Sequence, residues 1–305
     1  MTARRPSAIP DANTKRPWVL RMNARVGAAL FVLLSSDAFA AFTLHDDLGQ
    51  SLTLSHPPQR IVSLAPHVTE LLYAVGAGAQ LVGVDSASDF PAPAKNLPRI
   101  GDYSRVNFER VAALKPDLVM GWRSGNRAAD LYRLKQMGIP VLLTDAHRLT
   151  DIARLLRVVG RASAHTAEGE RAAHDFEIRL DKLRARYATT SARRVFYQVW
   201  DKPLMTIGGS HWINDAIALC GGQNIFADLK TAAPLVSLEA VLTRAPEIIV
   251  SGTDAPDVRA MWQRFPRVPA VQRNALVRIN ADALHRPTPR VLEGVRALCA
   301  EIERH

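Results

Sequence analysis

Residues 108–120 read FERVAALKPDLVM, and residues 238–250 read LEAVLTRAPEIIV. The two stretches align without a gap. Acids stand at Glu109 and Glu239, apolar residues at Val111 and Val241, prolines at Pro116 and Pro246, and acids again at Asp117 and Glu247, before an aliphatic run. The flanks upstream echo one another too: TELLYAVGAG over 69–78 and NDAIALCGGQ over 214–223 are both short amphipathic stretches ending on glycine. A supersecondary unit repeated once in each half predicts two similar lobes. The cleft between two lobes is a preferred ligand site.

Around the repeat, strand patterns alternate with helix patterns, which predicts parallel α/β pairing. A hairpin is expected over 42–54, with strands at 60–64, 81–84, 118–120 and 139–143. Thr69 reads as the cap of a helix beginning at Glu70, which leaves Pro66 and His67 in a loop after the first strand. Asn107 reads as the cap of the next helix, with Glu109 in its first turn. From Thr150 to Tyr187 there is no proline, and apolar residues recur at helical spacing, with a break expected at Gly160–Ala164. The α/β pattern resumes after 191, with a loop expected over 280–288 and a final helix from Pro289. The predicted fold class is α/β: two similar α/β lobes joined by a long connecting helix, with a ligand cleft between them. The expected boundaries are a cleaved export signal at 1–40, a hairpin extension at 41–56, an N-terminal lobe at 57–148, the connecting helix at 149–190 and a C-terminal lobe at 191–305.

The export signal rests on Arg21 and Arg25, an apolar run from Val26 to Leu34, and small residues at Ala38 and Ala40. That run is too short to span a bilayer, which needs about 20 residues. Cleavage after Ala40 leaves 33 basic and 27 acidic side chains, so the net charge falls from +10 to +6. No basic stripe with interleaved aromatics is present, so nucleic acid is not an expected partner, and a monomer is expected. Cys220 and Cys299 are the only cysteines. An even pair in an exported chain predicts one disulfide; the alternative is two buried thiols. No nucleophile elbow or phosphate-cradling glycine loop is present, so no enzymatic activity and no cofactor are expected.

Five stretches carry a resemblance: RIVSLAPHVTELLYAVG over 60–76, NFERVAALKPDLVMGWRSGN over 107–126, Arg194–Gln198, LCGGQNIF over 219–226 and RPTPR over 286–290. Through them the chain resembles the helical-backbone class of periplasmic substrate-binding proteins of ABC importers, and within it the cobalamin binders. The resemblance implies a little-bending connector and a shallow interlobe cleft holding cobalamin or a related corrinoid as transported ligand. Haem or a ferric siderophore is the alternative cargo, and an exported enzyme acting in the cleft is a third reading. The resemblance also matches Cys220 and Cys299 to a disulfide pair. It places Glu109 and Glu239 as one docking carboxylate per lobe, facing the importer's transmembrane subunits. In the cleft, Trp122 matches a ligand-contacting Trp, Tyr103 stands for another, and Asp282 and Arg286 match a loop gripping the ligand's polar edge. Ala87, Met205, Ala233 and Ala283 fall at positions that are aromatic in the resemblance. Pro66, His67 and His285 complete the expected ligand-binding set. A neutral imidazole can ligate cobalt or iron, so His67 and His285 are possible axial ligands. His147 and His211 are expected at the surface, outside any compact metal motif.

Overall fold

A computed structural model describes residues 42–46, 49–187, 192–252 and 258–305. The expected export signal lies outside the described residues. Two antiparallel strands, β1 (Phe42–His45) and β2 (Ser51–Leu54), form the N-terminal hairpin.

The first lobe is built on β3 (Ile61–Ser63), β4 (Leu81–Val84), β7 (Leu118–Trp122) and β8 (Val141–Thr144), all parallel, in the order β4-β3-β7-β8. A two-stranded ribbon, β5 (Gly101–Asp102) with β6 (Arg105–Val106), lies between β4 and β7 in the chain. The helices here are α1 (Pro66–Ala74), α2 (Phe108–Ala113) and α3 (Ala128–Gln136). The connector is two helices, α4 (Asp151–Ala162) and α5 (Thr166–Tyr187). The second lobe is built on β9 (Arg193–Gln198), β12 (Gly222–Asn224), β13 (Ile248–Gly252) and β14 (Leu276–Ile279), parallel, in the order β12-β9-β13-β14. It adds a ribbon of β10 (Trp200–Asp201) and β11 (Leu204–Met205). Its helices are α6 (Trp212–Leu219), α7 (Leu238–Arg244), α8 (Val258–Trp262), α9 (Pro269–Gln272), α10 (Ala281–His285) and α11 (Val291–Arg304).

The sequence repeat is a structural repeat down to single hydrogen bonds. Asn107 caps α2 through Arg110 N, and Ser237 caps α7 through Ala240 N. After each helix one residue turns left-handed, Lys115 at φ 45° and Ala245 at φ 46°. The following acid accepts from the backbone at the start of the lobe's central strand: Asp117 from Gln59 N and Arg60 N, Glu247 from Arg194 N. The arginine there returns the bond to the turn, Arg60 Nε to Leu114 O and Arg194 Nε to Ala245 O.

Every central strand is covered on both faces, as parallel sheets require. Val62, Val119, Val141 and Leu143 point to one side of the first sheet, and Ile61, Leu118, Met120 and Leu142 to the other. Phe196, Ile249 and Leu276 likewise alternate with Val195, Tyr197, Ile248, Val250 and Val277 in the second. The inner set of both sheets merges with α1, α4, α5, α6 and α11 into one continuous core.

Three local expectations are corrected. The helix expected from Glu70 begins at Pro66, whose fixed φ and missing N–H suit a first helical position. Pro66 and His67 are therefore helical and not in a loop. Thr69 is no cap: its buried hydroxyl bonds Ser63 and Ser88. The expected loop 280–288 contains α10, capped by Asn280. Asp151, the first residue of α4, accepts from His147 N and Arg148 N. The edge strand β12 was hidden in the sequence because GQN carries no apolar period.

A glycine seam joins the connector helices. A Cβ on Gly160 would lie 2.8 Å from Gly169 Cα, so the backbones touch there. The disulfide Cys220–Cys299 ties the end of α6 to α11. Among the described residues, no helix is long and apolar enough to cross a membrane.

Candidate ligand cleft

The carboxyl edges of the two sheets face each other, because the bonds between lobes come from segments that follow strand ends. Arg286, beyond β14, reaches Asp89 Oδ1 at 2.6 Å and Ala87 O at 3.5 Å, both beyond β4. His147, beyond β8, donates from Nδ1 to Ser210 O at 3.2 Å. In open α/β sheets, ligands bind outside such carboxyl ends.

Trp122 closes β7 on this edge and is half-buried. Its indole lies over Gly125, where a Cβ would come within 1.9 Å of the ring. Glycine is what lets the chain fold beneath the indole. The His67 ring meets it edge-on at 5.3 Å. Trp122 Nε1 is buried and has no acceptor among the described residues. Tyr103 sits in the β5–β6 turn and is 76% exposed. On the other lobe, Asp282 is exposed in the first turn of α10.

The two histidines are not presented as open ligands. His67 is buried, and its Nε2 lies 3.1 Å from Thr144 Oγ1. The Thr144 hydroxyl already donates to Gly121 O, so Nε2–H is the donor in the pair and the tautomer is set. Burial, then the nearby Arg286 charge, pull the His67 pKa down to about 3. His285 is half-buried, with Nε2 at 2.8 Å from the Tyr197 hydroxyl. His211, expected at the surface, instead caps α6 by accepting from Ile213 N. Burial, followed by His285 and His147, brings its pKa down to about 3. His147 is exposed, as expected, with Nε2 3.4 Å from Asp145 Oδ2. Among the described residues no cluster of three or more His, Cys, Asp or Glu could hold a metal ion.

Arg286 belongs to a network that sequence reasoning missed. Glu70, on α1, is buried and accepts from Arg286 Nη1, Thr288 Oγ1, and Arg290 Nε and Nη2, at 3.0, 2.9, 3.0 and 2.6 Å. Asp282 takes the other arm of Arg286 at 2.8 Å. Burial alone would favour a neutral Arg286, but hydrogen bonds to Asp89 and Glu70 outweigh it and raise its pKa. The signal was present: Glu70 is the one acid in the otherwise apolar helix TELLYAV. Asp85, beside this network, is also buried. Desolvation pushes its pKa up to about 6, against hydrogen bonds from Ala87 N and Ser88.

Glu109 and Glu239 lie in the first turns of α2 and α7, both exposed and neither ion-paired among the described residues. Hydrogen bonds from its own N–H, then from Ser237, hold Glu239 below the usual carboxylate range.

The periplasmic binding protein family matches residues 61–282. The chain belongs to that family. The vitamin B12-binding protein of Vibrio parahaemolyticus is 38% identical over 255 residues, 83% of this chain and 93% of the relative. The crystal structure of the periplasmic vitamin B12 binding protein of Vibrio cholerae superposes with a TM-score of 0.75 at 39% identity, over 81% of this chain and 98% of that one. A periplasmic heme-binding protein from Roseiflexus superposes with a TM-score of 0.71 at 25% identity, over 81% and 98% of the two chains. The family is one of binding proteins, and its two-lobed α/β architecture is the one described above.

Proposed function

We propose that this protein captures cobalamin or a related corrinoid in the interlobe cleft and delivers it to an ABC importer, with no catalytic turnover. The observation that carries this reading is the extended similarity to vitamin B12-binding proteins, which runs through both lobes. The cleft supports it: Trp122 and Tyr103 offer aromatic faces to a wide ligand surface, and Asp282 offers an exposed carboxylate to peripheral amides. Pro66 stands beside His67 at the start of α1, and Arg286 acts on the polar edge through Asp282. Glu109 and Glu239 are the docking carboxylates. They open pseudo-equivalent helices and suit a two-fold partner of opposite charge. The N-terminal signal places the mature chain in the periplasm. Haem is the second reading, favoured by the Roseiflexus relative. It requires an axial ligand, and His67 Nε2 and His285 Nε2 are both hydrogen-bonded.

Calorimetry and visible spectra with cyanocobalamin, cobinamide, hemin and ferric siderophores test the proposal. Stoichiometric corrinoid binding without turnover is the expected result. Tight hemin binding with a Soret shift lost in a His67→Ala/His285→Ala variant, together with no corrinoid binding, would replace it by the haem reading.

A further inference from the structure

The first lobe carries a polar groove of about 430 Å³, lined by Arg105, Val106, Asn107, Phe108, Glu109 and Arg133. The β5–β6 ribbon supplies Arg105, α2 supplies Phe108 and Glu109, and α3 supplies Arg133. Phe108 is half-buried, and the Arg133 guanidinium stacks over its ring at 4.3 Å from the centroid. Asp130 of α3 accepts from Val106 N at 3.3 Å and ties the ribbon to that helix. Arg105, Glu109 and Arg133 are exposed, and among the described residues none of the three forms an ion pair. The acids nearby are directed at backbone instead: Asp102 Oδ1 accepts from Ser104 N and Arg105 N, and Asp130 Oδ2 from Val106 N.

The groove thus sets two guanidinium groups beside one carboxylate, all three without an ionic partner. Arg110 follows Glu109 in the chain and Arg127 reaches the ribbon, each held by a carbonyl rather than an acid, Arg99 O and Ser104 O. A partner surface that is basic throughout gains at Glu109 and loses at these arginines, because like charges opposed across an interface are penalised. Arg133 is suited to an acid. Stacking on Phe108 fixes its plane, and no described residue accepts a hydrogen bond from its side chain. A planar guanidinium with its edge free bonds a carboxylate at two points. The arginines are not part of the repeat. In its register, Leu235 stands at the place of Arg105 and Ala240 at the place of Arg110.

We infer that the first lobe docks through a patch of mixed sign: beside the basic group that meets Glu109, the importer's membrane-spanning subunit presents an acidic side chain, which Arg133 receives together with Arg105. The inference rests on the docking role proposed for Glu109 and names the further chemistry its partner must carry. Two ion pairs of opposite sense fix register more sharply than two of the same sense. A shift that misplaces them sets like charges together, whereas a row of like pairs tolerates the shift.

Association of the full chain with its importer in lipid nanodiscs is measured by surface plasmon resonance for wild type, Arg133→Glu, Arg133→Lys, Arg105→Glu and Glu109→Lys. Each is run in phosphatidylcholine alone and with phosphatidylglycerol added. The substituted side chains are all exposed, so the melting temperature of each variant should stay near wild type. The expected result is association weakened roughly tenfold by Arg133→Glu and several-fold by Arg105→Glu in both lipids, and largely kept in Arg133→Lys. Association that is unchanged or tighter in Arg133→Glu, while Glu109→Lys weakens it, overturns the inference and leaves docking through Glu109 standing. A loss confined to nanodiscs with phosphatidylglycerol assigns the arginines to lipid headgroups and also overturns it. No change in either Arg133→Glu or Glu109→Lys overturns both the mixed patch and the docking role of Glu109.

Discussion

Replacing Glu70 by Gln should destabilise the protein by about 3 kcal/mol, because removing one partner of a buried ion pair typically costs about 3–5 kcal/mol. The Glu70 side chain is only 3% exposed and accepts four hydrogen bonds from three residues of the other lobe. Gln keeps the shape but not the charge, and its NH2 must face one of the two guanidinium groups. The low end of the range applies for two reasons. Arg286 keeps Asp89 and Asp282 as partners, and the Arg290 side chain, at 22% exposed, can draw on water. For a protein of this size about 3 kcal/mol lowers Tm by roughly 6–12 °C. Thermal melts of wild type, Glu70→Gln, Arg290→Gln and the double variant measure both the loss and the coupling. The coupling should exceed about 1 kcal/mol, since contacting residues are non-additive. The loss should persist in 1 M NaCl, where the Debye length is about 3 Å and only exposed pairs are screened. A Tm within 2 °C of wild type, or additive effects of the two substitutions, would refute the reasoning that Glu70 and its arginines act as one buried, coupled network.

The remaining predictions concern the covalent tie, proton linkage and docking. The disulfide closes a span of 79 residues. Its loss in Cys220→Ser/Cys299→Ser should lower unfolding free energy by about 4–5 kcal/mol on chain-entropy grounds, read from urea melts. Asp85, with its pKa raised to about 6 by burial, opposes folding as pH rises from 3.8 to 6 and has a constant cost above that. Asp85→Asn should therefore match wild type below pH 4 and exceed it by about 2–3 kcal/mol at pH 7; equal stability at pH 7 contradicts the assignment. His67 runs the other way: its pKa, lowered to about 3, gives stability that is complete above pH 6.5 and lost as pH falls toward 3. A His67→Asn variant should show a shallower acid limb in the same melts. Glu109→Lys or Glu239→Lys should impair importer-coupled uptake several-fold while leaving cyanocobalamin affinity within twofold; a matching drop in affinity would put these residues in the cleft.

The lobed α/β architecture was legible because the repeat over 108–120 and 238–250 pairs a strong local signal with itself. Residues that the sequence separates widely were not. Asp89, Thr288 and Arg290 each look like ordinary surface or cap residues until the fold brings them within 3 Å of Glu70 or of Arg286. Pro66 was misread because a proline before a plausible Thr cap suggests a loop, while the same proline opens a helix equally well. Strand β12 has no apolar period, and its pairing with β9 is decided by tertiary context. His211 shows the same limit: capping depends on where α6 starts relative to the ring, which no single residue announces.

The glycine seam between the connector helices bears on how the importer would tell a full carrier from an empty one. With Gly160 and Gly169 in backbone contact, α4 and α5 cannot slide or splay without opening a gap that no side chain is there to fill. The separation of Glu109 and Glu239 is then nearly the same message in both states. If the proposed docking holds, occupancy is read at the mouth of the cleft, where the cargo itself becomes part of the surface presented to the importer. Spin labels on α2 and α7, the helices that carry Glu109 and Glu239, would report that constancy directly as an unchanged distance distribution on adding cyanocobalamin.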